Sequence, residues 1–437
     1  MNTYVAMMQF YRRLFQDVSR IRESGTKDFK CMLYRTTTSR STARSTARST
    51  IKRRSTPSIT TLKATTADQK WNLPVLVHHP PAESKLAQVP GVLALQPILL
   101  ICGFAGAGST DWGSIPKMLA AKTKRPVVTY DARGLGNSIR TQKSICTSTG
   151  TGTGGDTDTT SVINSDHNDL DLTMNLMALD ALSVVKHYYE NEHNNAVAAK
   201  HEKGVQRNFC VGGVSMGGMV AQALAHTLHH DDQNDYQVSS LGLISSSPIQ
   251  DSSSGLLGEY PTWDDVELSE DHFLLAFDNF HNESETEKYH STKRFFDALG
   301  QDFISKPGRK ALRDKLIASF ISSREEFVNG IGFDGIMAQR SVLLNESHGV
   351  WNNQNKPLHL GDLGIPSIVI HGKKDSIIPF NHGKRLHYIM DNKSTGLTQE
   401  KSIAKFGVIQ HCDHLCWITN GHELVQMVGA FFQKRTD

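Results

Sequence analysis

Gly213-Val214-Ser215-Met216-Gly217-Gly218 decides how this chain is read. It closes an apolar, β-prone run at 209–214 and opens a stretch at 219–228 with helical spacing. A strand that turns sharply into a helix can present a serine oxygen only if its neighbours are small enough for the strained corner. The helix N-terminus and the amide of Met216 then face the negative charge that develops when Ser215 attacks a carbonyl. G-x-S-x-G alone is common by chance. Set between a strand and a helix, it points to a nucleophile.

Such a corner predicts an acid and then a histidine downstream, each after a later strand. Ile368-Val369-Ile370-His371-Gly372-Lys373-Lys374-Asp375 puts Asp375 just past a strand end, with Pro379 closing the turn. The last strand signal, 406–409, runs into Gln410-His411-Cys412-Asp413-His414-Leu415. The chain order is therefore Ser215, Asp375, His414. A rival acid after the 241–244 strand is poorly placed, because Ser245-Ser246-Ser247 fill that end and the next carboxylate is Asp251.

Further strand signals lie at 75–77, 98–101 and 127–130, and helical spacing at 174–189. Short apolar runs without alternation suit strands covered on both faces. The expected class is α/β: a mostly parallel sheet wrapped by helices. Two insertions interrupt it. Residues 147–161 are a low-complexity Thr/Gly/Asp loop. Residues 250–355 lack strand signals and place Leu312, Leu316 and Phe320 on one helical face, which predicts an inserted helical cap. The plan is a tail at 1–66, a core at 67–249, the cap at 250–355 and the rest of the core at 356–437.

With these motifs in order the chain resembles the α/β-hydrolase fold superfamily, in its esterase, lactonase and haloperoxidase-like branch. Cys102-Gly103-Phe104-Ala105-Gly106 is similar to that family's oxyanion loop, with Cys102 where histidine is usual. Tyr130-Asp131-Ala132-Arg133-Gly134-Leu135-Gly136-Asn137-Ser138 resembles its D-x-RG-x-G-x-S turn, and 333–339 the stretch before its acid-bearing strand. The resemblance implies Ser215 as nucleophile, His414 as general base and then acid, and Asp375 as the group that orients the imidazole. The backbone amides of Phe104 and Met216 would form the oxyanion hole. His414 Nε2 is then expected within reach of Ser215 Oγ, with Asp375 on the other ring nitrogen. His411 is a rival base and His422 a remote one. His414 is preferred because Glu423 begins the closing helix at about the family's spacing. Serine at the elbow disfavours the epoxide hydrolases and haloalkane dehalogenases, which need a carboxylate there. The implied activity is a serine hydrolase cleaving a small-molecule carboxylic ester, thioester or lactone through an acyl-enzyme, with no cofactor. The same triad serves acyltransferases, and the fold also hosts non-catalytic ligand-binding proteins.

The 437 residues carry 47 Lys+Arg against 44 Asp+Glu, and the charge is unevenly placed. Residues 1–66 hold fourteen Lys/Arg and three Asp/Glu, leaving 33 and 41 for the remainder. A basic nucleic-acid-binding body is excluded; the basicity is a tail. Tyr4, Met8, Tyr11, Phe15 and Val18 share a helical face with arginines among them, and an RSTA unit repeats from Arg40 to Thr50. Arg-rich, Ser/Thr-rich and acid-poor is the composition of an organelle transit peptide. It leans to mitochondria, with plastid import weaker and a plain cytoplasmic tail the alternative. The longest uncharged stretch, 88–110, is broken by prolines and glycines and is read as a strand and loop rather than a transmembrane span. Six scattered cysteines make no disulfide scaffold. His411, Cys412, Asp413, His414 and Cys416 are all ligand types, but their spacing fits no zinc pattern, and no metal is expected. Oligomeric state is not legible here.

Overall fold

The computed structural model describes residues 58–81, 96–109, 111–140, 172–196, 206–231, 234–249, 360–375, 377–391 and 403–433, with isolated positions between 284 and 343. Nine strands form one sheet: β1 (Ile59–Thr65), β2 (Trp71–His78), β3 (Ile98–Ile101), β4 (Val127–Tyr130), β5 (Ile139–Arg140), β6 (Arg207–Val214), β7 (Tyr236–Ile244), β8 (Ser367–Gly372) and β9 (Ala404–Ile409). Their order is β1-β2-β4-β3-β6-β7-β8-β9, with β5 beside β2. From β4 to β9 every pairing is parallel, while β1 and β2 are antiparallel additions at one edge. This is the mostly parallel α/β sheet that the sequence predicts.

Alternate residues of each central strand serve opposite faces, as a strand covered on both sides requires. Leu99 and Ile101 of β3 join one apolar cluster, and Ile98 and Leu100 join the other. The first cluster is closed by α2 (Met174–Ala196) and α3 (Met216–His229). The second is closed by α1 (Ile115–Thr123) and α6 (Gly421–Gln433), whose Phe431 and Phe432 are buried. Two further helices, α4 (Phe380–Asp391) and the short α5 (Cys416–Thr419), follow β8 and β9. No described helix is long and apolar enough to cross a membrane.

The chain runs from β3 out to β4 and then returns past β3 to β6, so the strand order reverses between β3 and β6. Crevices at such a switch point, beyond the carboxyl ends of the strands, are where open α/β sheets bind ligands. Ile101 pairs with Gly213, so the segments leaving β3 and β6 emerge side by side.

One boundary is corrected. The tail read as 1–66 overlaps the sheet, because Ile59–Thr65 is β1, paired with β2 from Ile59↔His78 to Thr65↔Asn72. The reason is composition. As an edge strand β1 buries only Ala64 fully and shows Thr61, Lys63 and Thr65 to solvent, so its Thr-rich, basic sequence continues that of the tail. Residues 1–57, the 147–161 loop and most of the 250–355 cap lie outside the described residues. Of the positions described within that cap, all but Ser284 are helical.

Candidate active site

Five neighbouring strand ends, those of β3, β6, β7, β8 and β9, build the site. Ser215 follows β6 directly, with φ 53 and ψ −125, a conformation that a non-glycine residue adopts only when its surroundings force it. Its N–H donates to Ile244 O at 2.9 Å, and its carbonyl accepts from Gly218 N at 2.9 Å and Ser246 Oγ at 2.8 Å. Three bonds thus pin the corner, while the Ser215 side chain makes no capping bond to its helix. The small residues are required by contact. A Cβ at Gly217 would run into the carbonyl of Cys102, so the elbow and the loop leaving β3 touch backbone to backbone.

The loop leaving β3 lies over Ser215: a Cβ on Gly103 would stand 3.1 Å from Ser215 Cβ and 3.7 Å from its Oγ. It is braced by Gly106 N donating to Gly103 O at 3.1 Å, Ala107 N to Asp111 Oδ2 at 2.8 Å and Ala105 N to Gln339 Oε1 at 2.8 Å. The two residues expected to offer amides, Phe104 and Met216, sit in this loop and at the first position of α3. Burial, with the nearby carboxylates of Asp111 and Asp131, pushes the Cys102 thiol well above its ordinary pKa, so it stands there as a neutral side chain.

Asp375 and His414 meet as expected beyond β8 and β9. His414 Nδ1 donates to Asp375 Oδ2 at 2.9 Å and lies 3.1 Å from Oδ1, which leaves Nε2 as the ring's acceptor. Oδ1 also accepts the amides of Ile377 at 3.0 Å and Ile378 at 2.9 Å. Burial alone would raise the Asp375 pKa. The facing His414 ring and the bond from His371 outweigh it and hold the carboxyl well below the ordinary aspartate value. His411 is exposed, whereas His414 is 4% exposed and Asp375 is 6%. His422 is exposed on α6. No hydrogen bond joins Ser215 Oγ to His414 Nε2 among the described residues: Asp375 and His414 are bonded to each other, and Ser215 Oγ is bonded to neither. Catalytic hydrogen bonds commonly tighten only when substrate is bound.

The mixed cluster of ligand types disperses in space. Cys412 and Cys416 enter the second apolar cluster, with Cys416 Sγ 3.3 Å from Ser245 Oγ. Asp413 Oδ1 accepts from Leu415 N at 3.1 Å. Asp131 and Arg133 fasten a turn. Asp131 accepts from Ser109 and Asn137, and Arg133 makes paired 2.6 Å bonds to Asp180 and a 3.0 Å bond to Asp68.

His371 was not singled out from sequence. It is fully buried, and its Nε2 lies 2.7 Å from Ile378 O and 3.3 Å from Asp375 Oδ2, both acceptors, so the ring proton sits on Nε2. Nor was a role foreseen for Gln339 or for Ser246. None of the three has a local spacing signal, because each partner lies across the fold or around an irregular turn.

Residues 96–418 match the model of the alpha/beta hydrolase fold family. No curated protein matches in sequence. Among solved structures, a thermophilic esterase from Thermogutta terrifontis is similar, with a TM-score of 0.50 at 16% identity, covering 86% of this chain and 100% of that one. A point mutant of the meta-cleavage product hydrolase CumD of Pseudomonas fluorescens gives 0.49 at 13% identity over 85% of this chain and 98% of its own. A laboratory-evolved variant of a potato epoxide hydrolase gives 0.47 at 14% identity over 86% and 99%. At 16% identity the likeness to the esterase is one of fold. With the family model spanning residues 96–418, most of its length, the chain belongs to the alpha/beta hydrolase fold family.

Proposed function

We propose that this protein is a serine hydrolase that cleaves a carboxylic ester, thioester or lactone of a small molecule. The observation that carries the reading is Ser215 itself: a serine, not a carboxylate, held at a positive φ where β6 meets α3. In this reading Ser215 Oγ attacks the acyl carbon as its proton passes to His414 Nε2. Asp375 holds the ring through Nδ1 and stabilises the imidazolium. The developing oxyanion is met by the amides of Phe104 and Met216 at the N-terminus of α3. His414 then protonates the leaving group, and water activated by the same ring releases the acyl group from Ser215.

Labelling of the full-length chain with a fluorophosphonate probe, alongside Ser215→Ala, tests this. The full chain is used because a cut at residue 67 would remove β1. Expected are covalent labelling of the parent, none of the variant, and ester turnover in the variant lower by about 10⁶. A folded parent that resists the probe and turns over no ester would sink the reading. The segment before β1 is proposed as an organelle-targeting address, most simply mitochondrial. A reporter fused to residues 1–57 that stayed cytosolic would refute it.

A further inference from the structure

We propose that Gln339 is a positioning residue for the oxyanion loop, acting through Ala105 on the amide of Phe104; the inference rests on the hydrolase reading above. Gln339 is 2% exposed and comes from the inserted segment between β7 and β8, 234 residues from its partner. Its Oε1 accepts the Ala105 N–H at 2.8 Å. Ala105 has a φ of 56, in the left-handed region that non-glycine residues avoid unless held there. Two neighbouring peptide planes are thereby set. The plane carrying Phe104 N–H also carries Gly103 O, which Gly106 N holds at 3.1 Å. The next plane carries Ala105 N–H, which Gln339 holds. Between them only the two dihedrals of Phe104 remain free, so Gln339 limits where the Phe104 amide can point.

The tether is itself anchored. Gly335, Ala338, Gln339 and Val342 are helical positions at spacings of three and four, which places them on one face. Ala338 and Val342 enter the main apolar cluster, and Gly335 lies against the carbonyl of Gly134. A residue outside the sheet thus supplies the acceptor for a loop of the sheet, which couples the inserted segment to the oxyanion hole.

Gln339→Met keeps the side-chain volume and removes the acceptor, while Gln339→Glu keeps an acceptor at the same reach. In the full-length protein two readouts are needed: amide hydrogen exchange over residues 103–107, and the rate constant for fluorophosphonate labelling. The Met variant should exchange about tenfold faster there. It should label about ten- to a hundredfold more slowly, since a misaimed donor costs less than a lost one. The Glu variant should restore both. Faster exchange with parent-like labelling in the Met variant would overturn the positioning role, and so would a Glu variant as slow as Met. A parent that does not label at all sinks the hydrolase reading instead. Exchange then decides the tether alone: unchanged exchange in the Met variant overturns it, and faster exchange restored by Glu supports it.

Discussion

Asp131 and Asp375 are both buried aspartates just past the carboxyl ends of sheet strands, at 0% and 6% exposure, yet their surroundings shift their pKa values in opposite directions. Asp131 leaves β4 and accepts only neutral donors: Ser109 N at 2.8 Å, Ser109 Oγ at 2.9 Å and Asn137 N at 2.9 Å, with Asn137 Nδ2 at 3.4 Å. Burial outweighs those bonds, and its pKa is raised. Asp375 accepts two amides and also faces two imidazoles, and there the charge wins over burial. Neutral hydrogen bonds suffice to fasten a turn. At Asp375 the two neighbouring imidazoles, beside the two amides, hold the buried carboxyl below its ordinary pKa.

The sharpest way to break this comparison is Asp375→Asn. An amide there favours the wrong His414 tautomer, so labelling and turnover should fall by about 10⁴. The sign of the pH effect follows from the lowered pKa. Asp375 contributes stability that is full above its unfolded value of about 3.9 and is lost as pH falls below it. The stability gap between parent and variant, read from urea unfolding across pH, should be widest at neutral pH and close in acid.

Asp131→Asn should cost about 1–3 kcal/mol, because an amide NH₂ would face the donors that now reach Oδ2. Activity per folded molecule should stay near the parent's. Its pH slope should be opposite: a raised folded pKa means a contribution present in acid and lost as pH rises, so this gap narrows toward neutral pH. Equal slopes for the two variants would erase the distinction drawn between the two sites. The smallest effect is expected at His411. Exposed and outside the acid–base pair, it should tolerate alanine within about 0.5 kcal/mol and without change in labelling. A large fall in labelling would transfer the base role from His414 to His411.

Much of the fold is legible in sequence because buried parallel strands must be continuous apolar runs; 98–101 and 127–130 match β3 and β4 in both bounds. The edge is not legible. β1 looks like more of the Ser/Thr/Arg tail, since an exposed strand is stabilised by its hydrogen-bonded ladder and asks little of its side chains. In the site, Asp375 and His414 stand out by their order after Ser215 and their places at strand ends, and the choice between His414 and His411 could be argued from spacing. Their depth of burial could not, and neither could the proton on His371 Nε2.

What the sequence determined by itself is local and directional: small residues around Ser215 allow one sharp corner, and apolar runs of the right length specify a sheet covered on both faces. What only the tertiary structure decided is which distant groups share a low-dielectric space. Ser246 behind the elbow and Gln339 on the Ala105 amide both depend on segments that meet only after the sheet has formed. Burial and charge act over a few ångströms of space, whatever the separation along the chain, so no spacing rule could have announced those contacts.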